Sequence, residues 1–395
     1  MEHEIKLPAG GGAERRNSYR SLRFLLAALL IAAMGLACLS CGEPSFPKGM
    51  GDAIEETVEK TISENGIPGA IVGVKIRGKG EIVIAKGEAD VENGRAIDPV
   101  DRVRIGSITK TFSITALLQL VDDGKVGLND PLSKYFSEVP NSENITIRQL
   151  ANMTSGLFDY TAVEVLQEAL VQDPDRKWEP EELVRAAISH EPYFPPGEGF
   201  HYSNTNTILI GMIIEKVTGK SLDDVIDSGI VDGLSLENTY FATEMDIEGR
   251  HSHGYGYEKD LGEQGGDDLR DITDFMDPSF TWAAGAVISN LEDMETWAKA
   301  LATGELLSGD TQAERLEWVE GDISGTKVEY GLGIGRVKGF IGHAGDVPGY
   351  SSAAFYHPGK EATIVVFLNK DPNEIDTAGL ALFINIADIV LSSGD

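Results

Sequence analysis

Along this chain the apolar positions alternate between helical and strand spacings, and the changes of spacing divide it into elements. Ile54, Val58 and Ile62 recur at four-residue intervals and stop at Asn65-Gly66, which predicts a helix closed by a left-handed cap. Ala70–Ile76 and Glu81–Lys86 are rich in β-formers and flank Arg77-Gly-Lys-Gly80, the pattern of a hairpin. Asn93-Gly94 marks a further turn. From Ser107 to about Asp123, apolar residues at Phe112, Ile114, Leu117, Leu118, Leu120 and Val121 predict an amphipathic helix, with Gly124 in capping position. The middle, from about Gly106 to Thr281, carries mostly helical patterns broken by Pro- and Gly-containing loops. Phe340–His343, Ser352–Tyr356 and Ala362–Asn369 then read as strands, the last two joined by Pro358-Gly359, before a terminal helix from about Ile375 to Leu391. Strands at both chain ends around a helical middle predict an α/β fold. One antiparallel sheet is flanked by helices, with a mostly helical lobe inserted.

Ahead of this body lies a different pattern. Arg15, Arg16, Arg20 and Arg23 precede a run from Phe24 to Leu39 that is apolar or glycine throughout. A basic start, a short apolar stretch and small residues describe an export signal over residues 1–40. The run falls short of the roughly 20 residues of a spanning helix. Leu36-Ala-Cys-Leu-Ser-Cys41-Gly42 resembles a lipoprotein processing site with Cys41 as the lipidated residue, although Cys38 stands where leucine is commonest. Residues 41–49 read as a tether and 50–395 as the folded domain. The expected setting is extracytoplasmic, with any membrane contact made through the leader or a lipid on Cys41.

Composition narrows the chemistry. The 395 residues are 42% hydrophobic and 25% charged, which is globular. A net charge of −31 argues against nucleic acid and anionic membrane surfaces as partners. Both cysteines, Cys38 and Cys41, fall in the leader, so the body holds no cysteine nucleophile. Nucleophilic catalysis there needs another side chain.

Ser107 is the candidate. The pattern S-x-x-K occurs three times, beginning at Ser45, Ser107 and Ser324, but Pro47 argues against a helix in the first and Gly325 for a loop in the third. Only Ser107-Ile-Thr-Lys110 opens a periodic apolar helix, with both side chains on one face. A serine hydroxyl needs a neighbour to accept its proton. A lysine kept neutral by burial and by the helix N-terminus can do so, and free N–H groups of the first turn can face an oxyanion. Taken alone, the pair reads rather as a capping serine and a solvated lysine.

Two later motifs change that balance. Tyr202-Ser-Asn204, following Pro195-Pro196-Gly197, brings a proton shuttle and an amide that could clamp a substrate, or else a buried tyrosine and a helix cap. Gly342-His343-Ala344-Gly345 lies on a predicted sheet edge, where small residues let a strand backbone approach a bound substrate. In that order and at wide spacing, Ser107-x-x-Lys110, Tyr202-x-Asn204 and His343-x-Gly345 resemble the three motifs of the penicillin-recognising serine hydrolases. That group holds class C β-lactamases, D-alanyl-D-alanine carboxypeptidases and related esterases. Leu118–Lys125, Ile145–Leu150, Tyr202–Asn206 and Ala284–Ser289 extend the likeness over about residues 50 to 390, most strongly toward the soluble carboxypeptidases.

The resemblance implies that Ser107 is acylated, that Lys110 and Tyr202 share its proton, and that Asn204 holds the substrate amide. It implies further that His343 stands in a lysine-or-histidine position, that Trp282 forms an aromatic wall, and that the N–H groups of Ser107 and Asp346 make the oxyanion hole. No cofactor and no metal are implied; His251-Ser-His253 lacks a third ligand. One departure bears on substrate. Ala344 replaces a threonine that grips a terminal carboxylate in the carboxypeptidases, and Asp346 adds a negative charge. The expected substrate is a small peptide, ester or β-lactam. The leading reading is a carboxypeptidase-like exported serine acyl hydrolase, the alternatives an esterase or amidase on neutral substrates and a non-catalytic binding protein on the same fold. No G-x-S-x-G elbow occurs.

Overall fold

A computed structural model describes residues 1, 46–257, 268–323, 325–370 and 378–392. The leader with its export and lipidation expectations, including Cys41, lies outside the described residues, as do Ser45 and Ser324. Lys48 and Gly49, expected in a tether, instead form the first turn of a helix, Lys48–Asn65, that starts immediately after Pro47 and ends at Gly66 in the left-handed region (φ 55°).

The first two strands, β1 (Gly69–Ile76) and β2 (Gly80–Asp90), form the expected hairpin, with Ile76 opposite Gly80. Short strands follow: β3 (Arg95–Ala96), β4 (Val103–Arg104), β5 (Tyr240–Phe241), β6 (Tyr255–Tyr257), β7 (Leu269–Asp271) and β8 (Val287–Ser289). The C-terminal third supplies β9 (Val319–Ile323), β10 (Thr326–Tyr330), β11 (Gly335–Val337), β12 (Phe340–Val347), β13 (Tyr350–His357) and β14 (Ala362–Leu368). Nine of these pair in the order β3-β2-β1-β14-β13-β12-β11-β10-β9, so the first and last long strands lie side by side inside an antiparallel sheet. The predicted architecture is the one observed, with β9 to β11 added at an edge.

Both faces of the sheet are covered, and the strand alternation shows how. Val72 and Val74 of β1 face Ile54 and Val58 of the first helix and Phe383 of the terminal helix, Ala378–Ser392. Ile71, on the opposite face, joins the larger core with Val365, Phe367 and Trp297, the last from the helix Leu291–Thr303. The inserted lobe completes that second core. Its two long helices are Thr109–Asp122 and Asn204–Thr218. Phe112 is fully buried and stacks on Trp297 with ring centroids 4.1 Å apart. Burying one such ring stabilises by about 1.5–3 kcal/mol.

The helix bearing Lys110 differs from the amphipathic one expected. From Val103 to Leu118 every residue is buried except Ser107. The polar positions that suggested a solvated face are bonded inside the core. Thr109 Oγ1 accepts from Val287 N, Thr111 Oγ1 from Trp297 Nε1, and Thr115 Oγ1 from Arg315 Nη2; Ser113 Oγ donates to the Ala283 carbonyl. Sequence spacing records hydrophobicity, and it does not reveal polar groups satisfied by a neighbouring chain segment.

Candidate active site

Ser107 sits in a single 3₁₀ turn, Gly106–Ile108, that leads into the Thr109–Asp122 helix. The turn is pinned from below: β4 pairs with β8, and Ile105 N continues that ladder to the Val287 carbonyl. Gly106 is in the left-handed region (φ 53°), and a Cβ there would meet the backbone of Asp346 at 2.8 Å. Gly345 is the reciprocal fit. A Cβ on Gly345 would stand 2.1 Å from the Ile105 carbonyl oxygen and 2.8 Å from Ser107 N. The glycine of the third motif therefore lets β12 approach the serine turn itself, where the sequence suggested approach to a substrate. Ser352 Oγ ties the two segments by donating to the carbonyls of Ile105 and Gly345.

Lys110 Nζ and Ser107 Oγ are hydrogen-bonded at 2.8 Å, and Nζ also donates to the Ala284 carbonyl at 3.1 Å. Lys110 is wholly buried, and that desolvation lowers its pKa to about 7, with Asp159 opposing the shift. Much of the lysine is therefore neutral near pH 7. Trp282 lies at a positive φ of 35° in the short turn Trp282–Ala284, which presents that carbonyl. Its ring packs where Gly211 of the Asn204–Thr218 helix leaves room. Trp282 is partly buried against the lobe's core and is not among the residues lining the cavity.

Ser107 opens onto a cavity of about 210 Å³. Tyr202, His343, Ala344, Gly345 and Asp346 line it together with Ser107, so most of the predicted constellation converges. Tyr202 Oη is buried and closes no hydrogen bond of ordinary geometry. Burial and then Tyr330 push this phenol well above its usual pKa, while the proximity of Ser107 pulls the other way. Its ring carries Lys110 Nζ over one face, 4.9 Å from the centroid.

Tyr330 is a residue the sequence did not single out. Its hydroxyl lies 3.0 Å from His343 Nε2, and the other ring nitrogen contacts the Ala344 carbonyl. A carbonyl only accepts, so Nδ1 carries the proton and Nε2 takes the Tyr330 hydroxyl hydrogen. The imidazole is neutral: burial, then Lys110, lower its pKa to about 4. His343 adds a fixed dipole to the site and no positive charge.

Asn204 departs from expectation. Its Nδ2 donates to Asp159 Oδ2 at 3.0 Å, and its backbone N donates to Asp159 Oδ1 at 3.2 Å. The amide is thus held at the helix N-terminus and is not among the residues lining the cavity. Asp159, a second residue missed by sequence, has its carboxyl pKa raised by burial. His251 and His253 stack 5.4 Å apart, with His253 bonded to Asp271, away from the cavity. Among the described residues, no helix is long and apolar enough to cross a membrane.

Comparison with known proteins accords with this geometry. The Beta-lactamase family profile matches residues 52–388, and the chain belongs to that family. A D-stereospecific amidohydrolase from Streptomyces sp. is 30% identical, with a TM-score of 0.76 over 87% of this chain and 99% of its own. The D-amino acid amidase of Ochrobactrum anthropi SV3, solved with L-phenylalanine amide, is 26% identical, with a TM-score of 0.78 over 87% of this chain and 99% of its own. Protein flp of Staphylococcus aureus strain MW2 is 27% identical over 80% of this chain, which spans 62% of that relative. The chain is thus of the β-lactamase and transpeptidase type, and the two solved neighbours named here are an amidohydrolase and an amidase.

Proposed function

Proceeding from that membership, we propose that this enzyme hydrolyses small amides and short peptides through an acyl-enzyme on Ser107. The observation that carries the reading is the 2.8 Å contact between Ser107 Oγ and a buried Lys110 whose pKa falls to about 7. Neutral Lys110 takes the hydroxyl proton as Oγ attacks the substrate carbonyl carbon. The N–H groups of Ser107 and Asp346, brought together by Gly106 and Gly345, receive the oxyanion. Tyr202, whose raised pKa keeps it protonated, relays a proton from Lys110 to the departing nitrogen. The C–N bond then breaks and leaves the acyl group on Oγ. Water, deprotonated through the same lysine, attacks the ester and restores Ser107.

The amidase reading is favoured over the carboxypeptidase reading by the wall of the cavity. Ala344 has no hydroxyl to bind a carboxylate, and Asp346 repels one at close range by about 1–4 kcal/mol, depending on how far water enters. The names of the two solved neighbours point the same way. A panel of D- and L-phenylalanine amide, a D-alanyl-D-alanine peptide and a neutral ester tests this. The amide is expected to be the better substrate than the peptide, and Ser107→Ala is expected to lower its kcat/KM by roughly 10³- to 10⁶-fold. Faster turnover of the D-alanyl-D-alanine peptide would reject the substrate class. An unchanged rate in Ser107→Ala would reject the nucleophile.

A further inference from the structure

Resting on the serine–lysine reading, we propose that Asp159 is a positioning residue of this enzyme: its carboxylate holds the segment that places Tyr202 over Lys110, and its charge acts on Lys110. Asp159 belongs to none of the three motifs and is not among the residues lining the cavity. It joins two segments at their starts. Oδ1 accepts from Thr161 N at 3.2 Å, in the 3₁₀ turn Tyr160–Ala162, and from Asn204 N at 3.2 Å, at the head of the Asn204–Thr218 helix. Oδ2 accepts from Asn204 Nδ2 at 3.0 Å. Three N–H groups aimed at two oxygens, one of them at a long helix's N-terminus, favour the ionised form. Neutral bonds close the same seam. Ser203 Oγ and Thr205 Oγ1 both donate to the Phe158 carbonyl, and Thr205 Oγ1 accepts from Tyr160 N. Tyr202 immediately precedes this seam, with its ring centroid 4.9 Å from Lys110 Nζ.

Among the described residues, the titratable groups that feel this carboxylate come from three elements. Tyr160 follows it in the 3₁₀ turn; Tyr193, His201 and Tyr202 come from the loop ahead of the Asn204–Thr218 helix; Lys110 comes from the Thr109–Asp122 helix. Burial pushes the three phenols up, so they stay protonated, and lowers His201 from the ordinary histidine range, so it is neutral near pH 7. Lys110 is the remaining group that Asp159 can steady as a cation. Burial drives the lysine down, and Asp159 is the charged group that opposes the fall. The carboxylate thus keeps Lys110 basic enough to take the serine proton efficiently, where burial alone would carry it lower.

Stopped-flow acylation of the full chain by 4-nitrophenyl acetate, from pH 5 to 9, tests this with an uncharged ester. In Asp159→Asn an amide oxygen can still accept from Thr161 and Asn204, but the charge is gone. The midpoint of the pH profile is expected to move down by at least about half a unit, so that at pH 6 the variant reaches roughly a threefold larger fraction of its own plateau rate. A purely structural role would lower the plateau and leave the midpoint in place or, by letting water reach Lys110, raise it. Asp159→Glu keeps the charge and is expected to keep the midpoint near that of the wild type. Asp159→Ser, a good helix-capping residue, takes the place of the Asn variant if thermal unfolding shows that variant to be unfolded. A midpoint that is unmoved or raised in the neutral variant overturns the proposal. Failure of both neutral variants to fold makes Asp159 a scaffold residue and overturns it equally. Intact mass separates this inference from the reading beneath it: an adduct on Ser107 with an unmoved midpoint defeats the Asp159 role alone, and no adduct in the wild type defeats the serine–lysine reading.

Discussion

The segment that carries Ser107 and Lys110 and the wall that faces it are made from contrasting materials. From Val103 to Leu118 only Ser107 reaches the cavity, and the buried Thr109, Lys110, Thr111, Ser113 and Thr115 each have a hydrogen-bond partner. The facing wall holds a phenol without a partner in Tyr202, a half-buried carboxylate in Asp346 and a half-buried methyl in Ala344. A fully satisfied segment keeps its geometry whatever enters, and it is suited to the step common to all substrates. Ala344 and Asp346 line the cavity with half-buried side chains, so differences between ligands are felt there, while Tyr202 serves the proton transfer.

That division can be broken at one strand. Gly345→Ala forces a Cβ against the Ile105 carbonyl and shifts the serine turn, whereas its neighbour Ala344 points away from that contact. Overpacking of this kind costs about 1–3 kcal/mol, and an ångström of displacement at the nucleophile costs about a hundredfold in rate. Gly345→Ala is therefore expected to lower both Tm and kcat/KM for every substrate. Ala344→Ser is expected to leave Tm nearly unchanged and to alter only the ratios between substrates. Thermal unfolding and kinetics on the same samples check both; equal damage from the two substitutions would dissolve the distinction.

A smaller effect sharpens the comparison from the wall side. Tyr330→Phe removes the donor to His343 Nε2 and leaves a buried acceptor unpaired, at about 1–3 kcal/mol. The imidazole loses its anchor but not its Nδ1 contact, so a several-fold fall in kcat/KM is expected, with acylation at Ser107 retained. Denaturant unfolding and adduct mass measure the two parts. A loss as large as that of Ser107→Ala would move Tyr330 into the chemistry.

Much of this arrangement was legible in the sequence, for identifiable reasons. The hairpin turn at Arg77–Gly80, the cap at Gly66 and the apolar alternation of β12 to β14 are local signals, and local rules read them. The three motifs converge because chemistry needs those residue types together. What escaped was long-range. The strands β9 to β11 are short and interrupted, and Gly331 and Gly333 mask their spacing. Tyr330 and Asp159 carry no motif; only folding places one against His343 and the other against Asn204. Asn204 and Trp282 were expected at the substrate, but the first is held by Asp159 and the second fills the space beside Gly211. Their types fit the family pattern, whereas their partners are set by the packing of the lobe.

The central claim is that a neutral lysine activates Ser107, and the pH dependence of acylation addresses it directly. Burial holds Lys110 at about 7, His343 at about 4 and Tyr202 well above its ordinary value. Below pH 7 Lys110 is protonated and has no lone pair to accept the serine proton; above it, the base is available. Stopped-flow acylation by a neutral 4-nitrophenyl ester, with intact mass confirming the adduct on Ser107, is expected to rise about tenfold per pH unit up to about pH 7 and then level off. A rate that is flat from pH 5 to 9, or that turns over near pH 4 instead, would contradict the account.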